Sequence, residues 1–190
     1  MAEAIDNYER VSIYPLDPTT REALLTEHKE CSFAWTTRDG WPVAVIMSYV
    51  WHEERFWLTA GGHRHRISAV RRDPRVCITV TSTGTSLGPG KSITVKGRCI
   101  LHEDAETKAW FYPRFSRHLE DNERRASAFE ERLDSPLRVV LEVVPEKWIT
   151  YDGVKMARDA AGKLDASERG PALSADEERL TRELARRRTD

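Results

Sequence analysis

Phe56-Trp57-Leu58-Thr59-Ala60-Gly61-Gly62-His63-Arg64-His65-Arg66-Ile67-Ser68-Ala69-Val70-Arg71-Arg72-Asp73-Pro74-Arg75-Val76 is the stretch on which the reading of this chain turns. Its first four residues are aromatic or branched and predict a strand. Gly61-Gly62 breaks that strand, on the expectation that glycine supplies a backbone with positive φ. Ile67 and Val70 stand three apart, as on one face of a short helix over about residues 63–72, and Pro74 stops it. Val76 to Thr81 alternates as a new strand. A helix that opens directly after a strand and a glycine turn directs unpaired N–H groups outward. With arginine in its first turn it suits an anion, and the reading here is a phosphate-bearing cofactor. Glycine pairs also mark hairpins and surface arginines also face water, so the rest of the chain has to arbitrate.

Upstream, Asp17-Pro18 reads as an N-cap followed by proline at the first helical position, with Leu24 and Leu25 on the buried side. Residues 31–36 and 42–51 read as strands joined by Arg38-Asp39-Gly40, which carries the Asp-Gly signature of a hairpin. Downstream, residues 83–90 form a glycine- and serine-rich loop. Residues 92–101 alternate as a strand, and 103–118 and 121–133 read as charged helices. Residues 137–144 and 148–151 read as two further strands separated by Pro145. These short strands with inserted helices predict a mainly β chain, a small antiparallel barrel. Residues 1–16 read as an arm, 17–151 as the barrel domain, and 152–190 as a charged tail. In that tail Ser174-Ala175-Asp176-Glu177 has the form of a capping box ahead of Leu180 and Leu184.

Composition narrows the classes. Thirty basic residues against 31 acidic ones leave a net charge of −1, so no bulk attraction to nucleic acid or to an anionic membrane is expected. No apolar run approaches a membrane span, and the N-terminus lacks the basic and apolar regions of a signal peptide. Cys31, Cys77 and Cys99 lie in strand-like contexts and without metal-ligand spacing. They read as buried free thiols in a reducing cytoplasm. No Gly-x-Ser-x-Gly elbow is present, and no catalytic residue is named. His63 and His65, two apart, do not share a helix face. The tryptophans Trp35, Trp41, Trp51 and Trp57 read as core or interface residues, or as walls of a substrate pocket, and Trp148 stands out by position.

The order of segments resembles the split-barrel flavoproteins related to pyridoxamine 5′-phosphate oxidase. The resemblance covers about residues 20–151. It rests on Gly40-Trp41-Pro42 leading into a strand, on Phe56 to Thr59, on the approach to Asp73-Pro74-Arg75-Val76, and on Val95-Lys96-Gly97-Arg98. It implies a six-stranded antiparallel split barrel of the FMN-binding type. It also implies a homodimer whose cofactor grooves lie between subunits, acting on a small organic substrate. FMN is the cofactor implied first, with the deazaflavin F420 or haem as alternatives. By the same resemblance Ile46, Met47 and Ser48 run along the ring edge, and Leu58 and Thr59 lie near the ring and ribityl chain. His65 and Arg66 fall on the phosphate clamp, while Lys91 and Ser92 reach the ring from the partner chain. Two departures matter. His65 replaces a permanent cation, and Val45 and Val50 stand where the true oxidases carry arginine and lysine, so oxidation of the vitamin phosphate is not expected.

Overall fold

A computed structural model describes residues 9–187. After a 3-10 turn at Val11–Ile13 come α1 (Pro18–Glu27), β1 (Glu30–Thr36), β2 (Pro42–Ser48), β3 (Val50–His52) and β4 (Arg55–Gly61). Then follow α2 (His65–Arg72), β5 (Arg75–Thr81), β6 (Lys91–His102), α3 (Ala105–Leu119), α4 (Glu123–Leu133) and β7 (Arg138–Asp152). The chain ends in α5 (Gly153–Ala160), a second 3-10 turn at Ala166–Glu168, and α6 (Ser174–Arg187).

All seven strands join one antiparallel sheet in the order β2-β1-β5-β6-β7-β4-β3. The two edge strands, β2 and β3, are separated in sequence only by Tyr49. One residue cannot cross an open seven-stranded sheet, so the sheet must curl until its edges meet, which makes a split barrel. Tyr49 fixes that seam. Its N–H donates to the Lys29 carbonyl (3.1 Å), and its hydroxyl, fully buried, donates to the Leu25 carbonyl (3.0 Å). The single strand predicted over 42–51 is therefore divided at Tyr49, and counted as one it gives the six strands that the resemblance implies.

Alternation sets what lies inside. Phe33, Trp35, Val76, Ile78, Val80, Ile93 and Val95 point into the barrel, while Ser32, Ala34, Thr79, Thr94 and Lys96 face outward. β4 breaks this rule, because Phe56, Trp57 and Leu58 are all buried in succession. Phe56 and Leu58 enter the barrel, whereas Trp57 packs outward with Val140 against Phe111, Tyr112 and Phe115 of α3 and Leu133 of α4. A strand covered on both faces reads as a continuous apolar run, which explains why this stretch stood out in the sequence.

The strands predicted at 137–144 and 148–151 are one, β7. Its pairing with β6 shifts register between Lys96 and Gly97, so that Lys96 faces Lys147 and Gly97 faces Pro145. A bulge tolerates a proline, which has no N–H for the ladder. There β6 and β7 come so close that a Cβ on Gly97 would lie 2.5 Å from the Val144 carbonyl oxygen.

The helix starts follow their caps. Asp17 accepts from the Thr20 N–H (2.9 Å), and Asp104 accepts from the Thr107 N–H (2.7 Å). α5, which the sequence reading missed, is capped by Asp152 through the Val154 N–H (2.9 Å). The tail folds back on the N-terminal arm. Tyr14 donates to Asp159 (2.7 Å), the Gly170 N–H donates to the Ile13 carbonyl (2.8 Å), and Arg10 pairs with Glu177 (3.1 Å). Burial and the Asp159 hydrogen bond push the Tyr14 hydroxyl up to about 12.

Candidate functional site

The cradle is built where β4 ends. β4 pairs with β7 from Phe56↔Val143 to Gly61↔Arg138, and the Gly62 N–H then donates to the Leu137 carbonyl (2.6 Å). Neither Gly61 nor Gly62 has positive φ, which corrects the conformational reason expected for them. What they supply is space. A Cβ on Gly61 would sit 2.8 Å from the His63 ring, and one on Gly62 would sit 3.3 Å from the Leu137 carbonyl oxygen.

α2 opens at His65, two residues later than predicted, with Arg64 as its N-cap. Arg64 makes no side-chain capping bond, and the Ile67 N–H donates to the Arg64 carbonyl (2.9 Å), which leaves the His65 and Arg66 N–H groups without a side-chain partner among the described residues. Ile67, Ala69 and Val70 are buried and anchor the helix on the barrel. Arg66 is held in the first turn, half-buried. Its Nε is sealed from solvent and has no hydrogen-bond partner among the described residues. Burial, then the neighbouring charge of Arg64, lowers the Arg66 pKa. A guanidinium that is both desolvated and repelled by a like charge gains on both counts when an anion arrives. The residues present thus fit a phosphate group. His65 and Arg64 stand exposed beside it, and His63 lies over Gly61.

The other residues singled out from the sequence divide into three sets. On β2, Ile46 is 67% exposed, Met47 points into the core, and Ser48 is half-buried. β2 pairs only with β1, so alternate backbone N–H and C=O groups face outward along its free edge, and β2 approaches β4 across the curl. On β4, Leu58 is fully buried, so its side chain belongs to the core. The Thr59 hydroxyl donates to the Val139 carbonyl (2.9 Å). Ile46, Ser48, Thr59, His65 and Arg66 thus fall on segments that neighbour one another.

Lys91 and Ser92 do not join them. Lys91 pairs with Asp152 at one end of β7, whereas Gly61 pairs with Arg138 at the other. The Lys91 ammonium donates to the Leu87 carbonyl (3.1 Å). Within one chain these two residues lie far from Arg66.

The remaining arginines of the cluster are occupied. Arg71 pairs with Glu103, Arg72 donates to the Thr36 carbonyl (2.5 Å), and Arg75 pairs with Asp73 (2.6 Å). The Arg75 bonds hold the Asp73 carboxyl at about 2. Trp35 and Trp57 are core residues, Trp51 and Trp148 are half-buried, and Trp41 is exposed. No described helix is long and apolar enough to cross a membrane.

The sequence pattern of the pyridoxamine 5′-phosphate oxidase family matches residues 17–152. The chain belongs to that family. The match runs from the Asp17 cap to the end of β7, so it holds the whole barrel and leaves the tail outside. Among curated proteins, none matches the sequence. Solved structures agree with the family in fold. A conserved hypothetical protein of Mycobacterium tuberculosis superposes with a TM-score of 0.65 at 14% identity, over 86% of this chain and 97% of its own. A protein described as an F420 reductase gives 0.51 at 20% identity, over 67% of this chain and 94% of its own. An FAD-binding protein of Mesorhizobium loti gives 0.53 at 20% identity, over 71% of this chain and 94% of its own. At these identities the likeness is one of fold.

Proposed function

We propose that this chain is a flavin-dependent oxidoreductase acting on a small organic substrate, working as a homodimer in the cytoplasm, with FMN as its cofactor. The observation that carries the reading is the buried, unpartnered Arg66 Nε at the uncapped start of α2. Arg66, with the first-turn N–H groups, holds the cofactor phosphate, and His65 and Arg64 stand exposed beside it. The free edge of β2 at Ile46 to Ser48 aligns the ring through backbone groups, and Thr59 borders it. When bound, the flavin supplies the hydride chemistry, so the protein needs only to bind, orient and exclude water.

The dimer has its own support. On β2 the outward residues Pro42, Ala44 and Ile46 are exposed, beside Trp41 at 69% exposure. An apolar face on an edge strand is a surface a second copy would cover. A second copy would also bring a Lys91 and a Ser92 that one chain keeps away from its own Arg66. Three free thiols, two of them buried, fit a reducing compartment.

F420 is the second reading. It is favoured by the closeness of Arg64 to Arg66, which offers a further cation to a longer acidic tail.

Titration of the purified protein with FMN and with F420, followed by fluorescence, tests the reading. One of them should bind saturably, and Arg66→Ala should weaken that binding more than tenfold. Unchanged affinity would remove Arg66 from the site. A Soret band in the purified protein would favour haem instead.

A further inference from the structure

At the other end of β4 from the Arg66 cradle, α1, the β3–β4 turn and β7 frame a second pocket of about 250 Å³. Arg55 opens β4 and Gly61 closes it, so the two sites lie roughly 20 Å apart at about 3.3 Å per residue. The pocket's walls are Trp51 and Trp148, edge to face with ring centres 5.9 Å apart. The Arg21 guanidinium lies over Trp148, 4.8 Å from the ring centre. Its Nε is sealed from solvent and has no hydrogen-bond partner among the described residues. Arg21 lines the pocket and its side chain makes no hydrogen bond or ion pair among the described residues, so a ligand carboxylate would supply one.

The opposite wall is anionic. Glu22, Glu53 and Glu54 line it, and Glu54 has no polar partner among the described residues. Glu53 stands 3.6 Å from His52 Nε2, and Glu22 accepts from Trp51 Nε1 (2.8 Å). Arg55 also lines the pocket, with its Nε paired to Glu142 (3.0 Å). The backbone adds an independent observation. Glu53 and Glu54 are the two described non-glycine residues with positive φ (51° and 58°), and they form the two-residue turn of the β3–β4 hairpin. Such turns favour Asn-Gly, so the turn carries two carboxylates at a steric cost the hairpin itself does not require.

We propose that this pocket binds a small zwitterion of the α-amino-acid class, its carboxylate on Arg21 and its ammonium on Glu53 and Glu54, against Trp51 and Trp148. Arg21, Glu53 and Glu54 then each face an opposite charge, and about 250 Å³ holds one amino acid rather than a peptide. The site is independent of the cofactor reading, since no residue is shared.

The test is tryptophan emission of the full chain, titrated separately with each of the twenty free amino acids up to millimolar concentration. At least one should give a saturable change, while its N-acetyl and methyl-ester derivatives, each lacking one charge, should bind at least tenfold more weakly. E53Q/E54Q and, separately, Arg21→Met should each weaken binding at least tenfold, with Arg21→Lys keeping part of it. FMN or F420 titration should be unchanged in all three variants, which also reports that they are folded. Equal binding of the N-acetyl derivative, unaltered affinity in E53Q/E54Q, or no response to any amino acid would each overturn the proposal.

Discussion

The two ends of β4 invert what glycine is usually taken to mean. At the start, the turn before Arg55 needs positive φ at two successive residues, and the chain places Glu53 and Glu54 there. At the end, Gly61 and Gly62 have ordinary backbone angles and serve because a side chain would meet His63 or Leu137. Residue type reports a constraint without saying whether it is conformational or spatial. Which one applies depends on what the rest of the fold brings alongside.

The same spatial logic is harshest on β6. Gly97→Ala should destabilise the fold most, by about 1–3 kcal/mol, because its Cβ would press on the Val144 carbonyl, which is backbone and cannot swing aside. Chemical denaturation measures this, and an unchanged midpoint would mean that the β6–β7 bulge opens freely. At the first end of β4 the sign reverses. Glu53→Asn with Glu54→Gly should stabilise the protein by about 1–2 kcal/mol, by relieving the left-handed backbone at both residues. No rise in melting temperature would show that the glutamates are not strained. At the second end, Gly61→Ala should cost least, about 0.5 kcal/mol, since its obstacle is the His63 ring at the end of a side chain that can rotate away. A loss as large as that of Gly97→Ala would make the His63–Gly61 contact a fixed part of the cradle. The edge strand offers a test of assembly rather than folding. Ala44→Glu, on the exposed face of β2, should convert a dimer to a monomer in light scattering, whereas a monomeric parent would remove the premise.

Several local signals were legible where short-range chemistry decides, although the Asp152 cap of α5 was not among them. Asp17 and Pro18 start α1 as read, because a cap and a proline act within one turn. Arg66 was legible as a cation in a first turn, but the isolation of its Nε was not, since that depends on what covers it. The resemblance places Leu58 near the ring, and its side chain points into the barrel, because period-two alternation on β4 puts it there with Phe56 and Ala60. The strand over 42–51 looked continuous because nothing local marks Tyr49 as the seam. Its role comes from Leu25 and Lys29, which reach it from α1 and from the turn that follows. Pro145 looked like a stop and became part of a bulge, because β6 could shift its register at Gly97.

By itself, the sequence determined the class of fold, the order of most of its elements, the Asp17 cap, and the cationic helix start that follows β4. These depend on propensity, periodicity and contacts within a turn or two, which neighbouring residues set among themselves. Only the tertiary structure decided the rest. Closure of the sheet brings α1, the β3–β4 turn and β7 together around Trp148. It also parts Lys91 from Arg66 within one chain and leaves the Nε atoms of Arg21 and Arg66 buried without partners among the described residues. Burial and enclosure are properties of distant segments meeting, and no local stretch of sequence contains them.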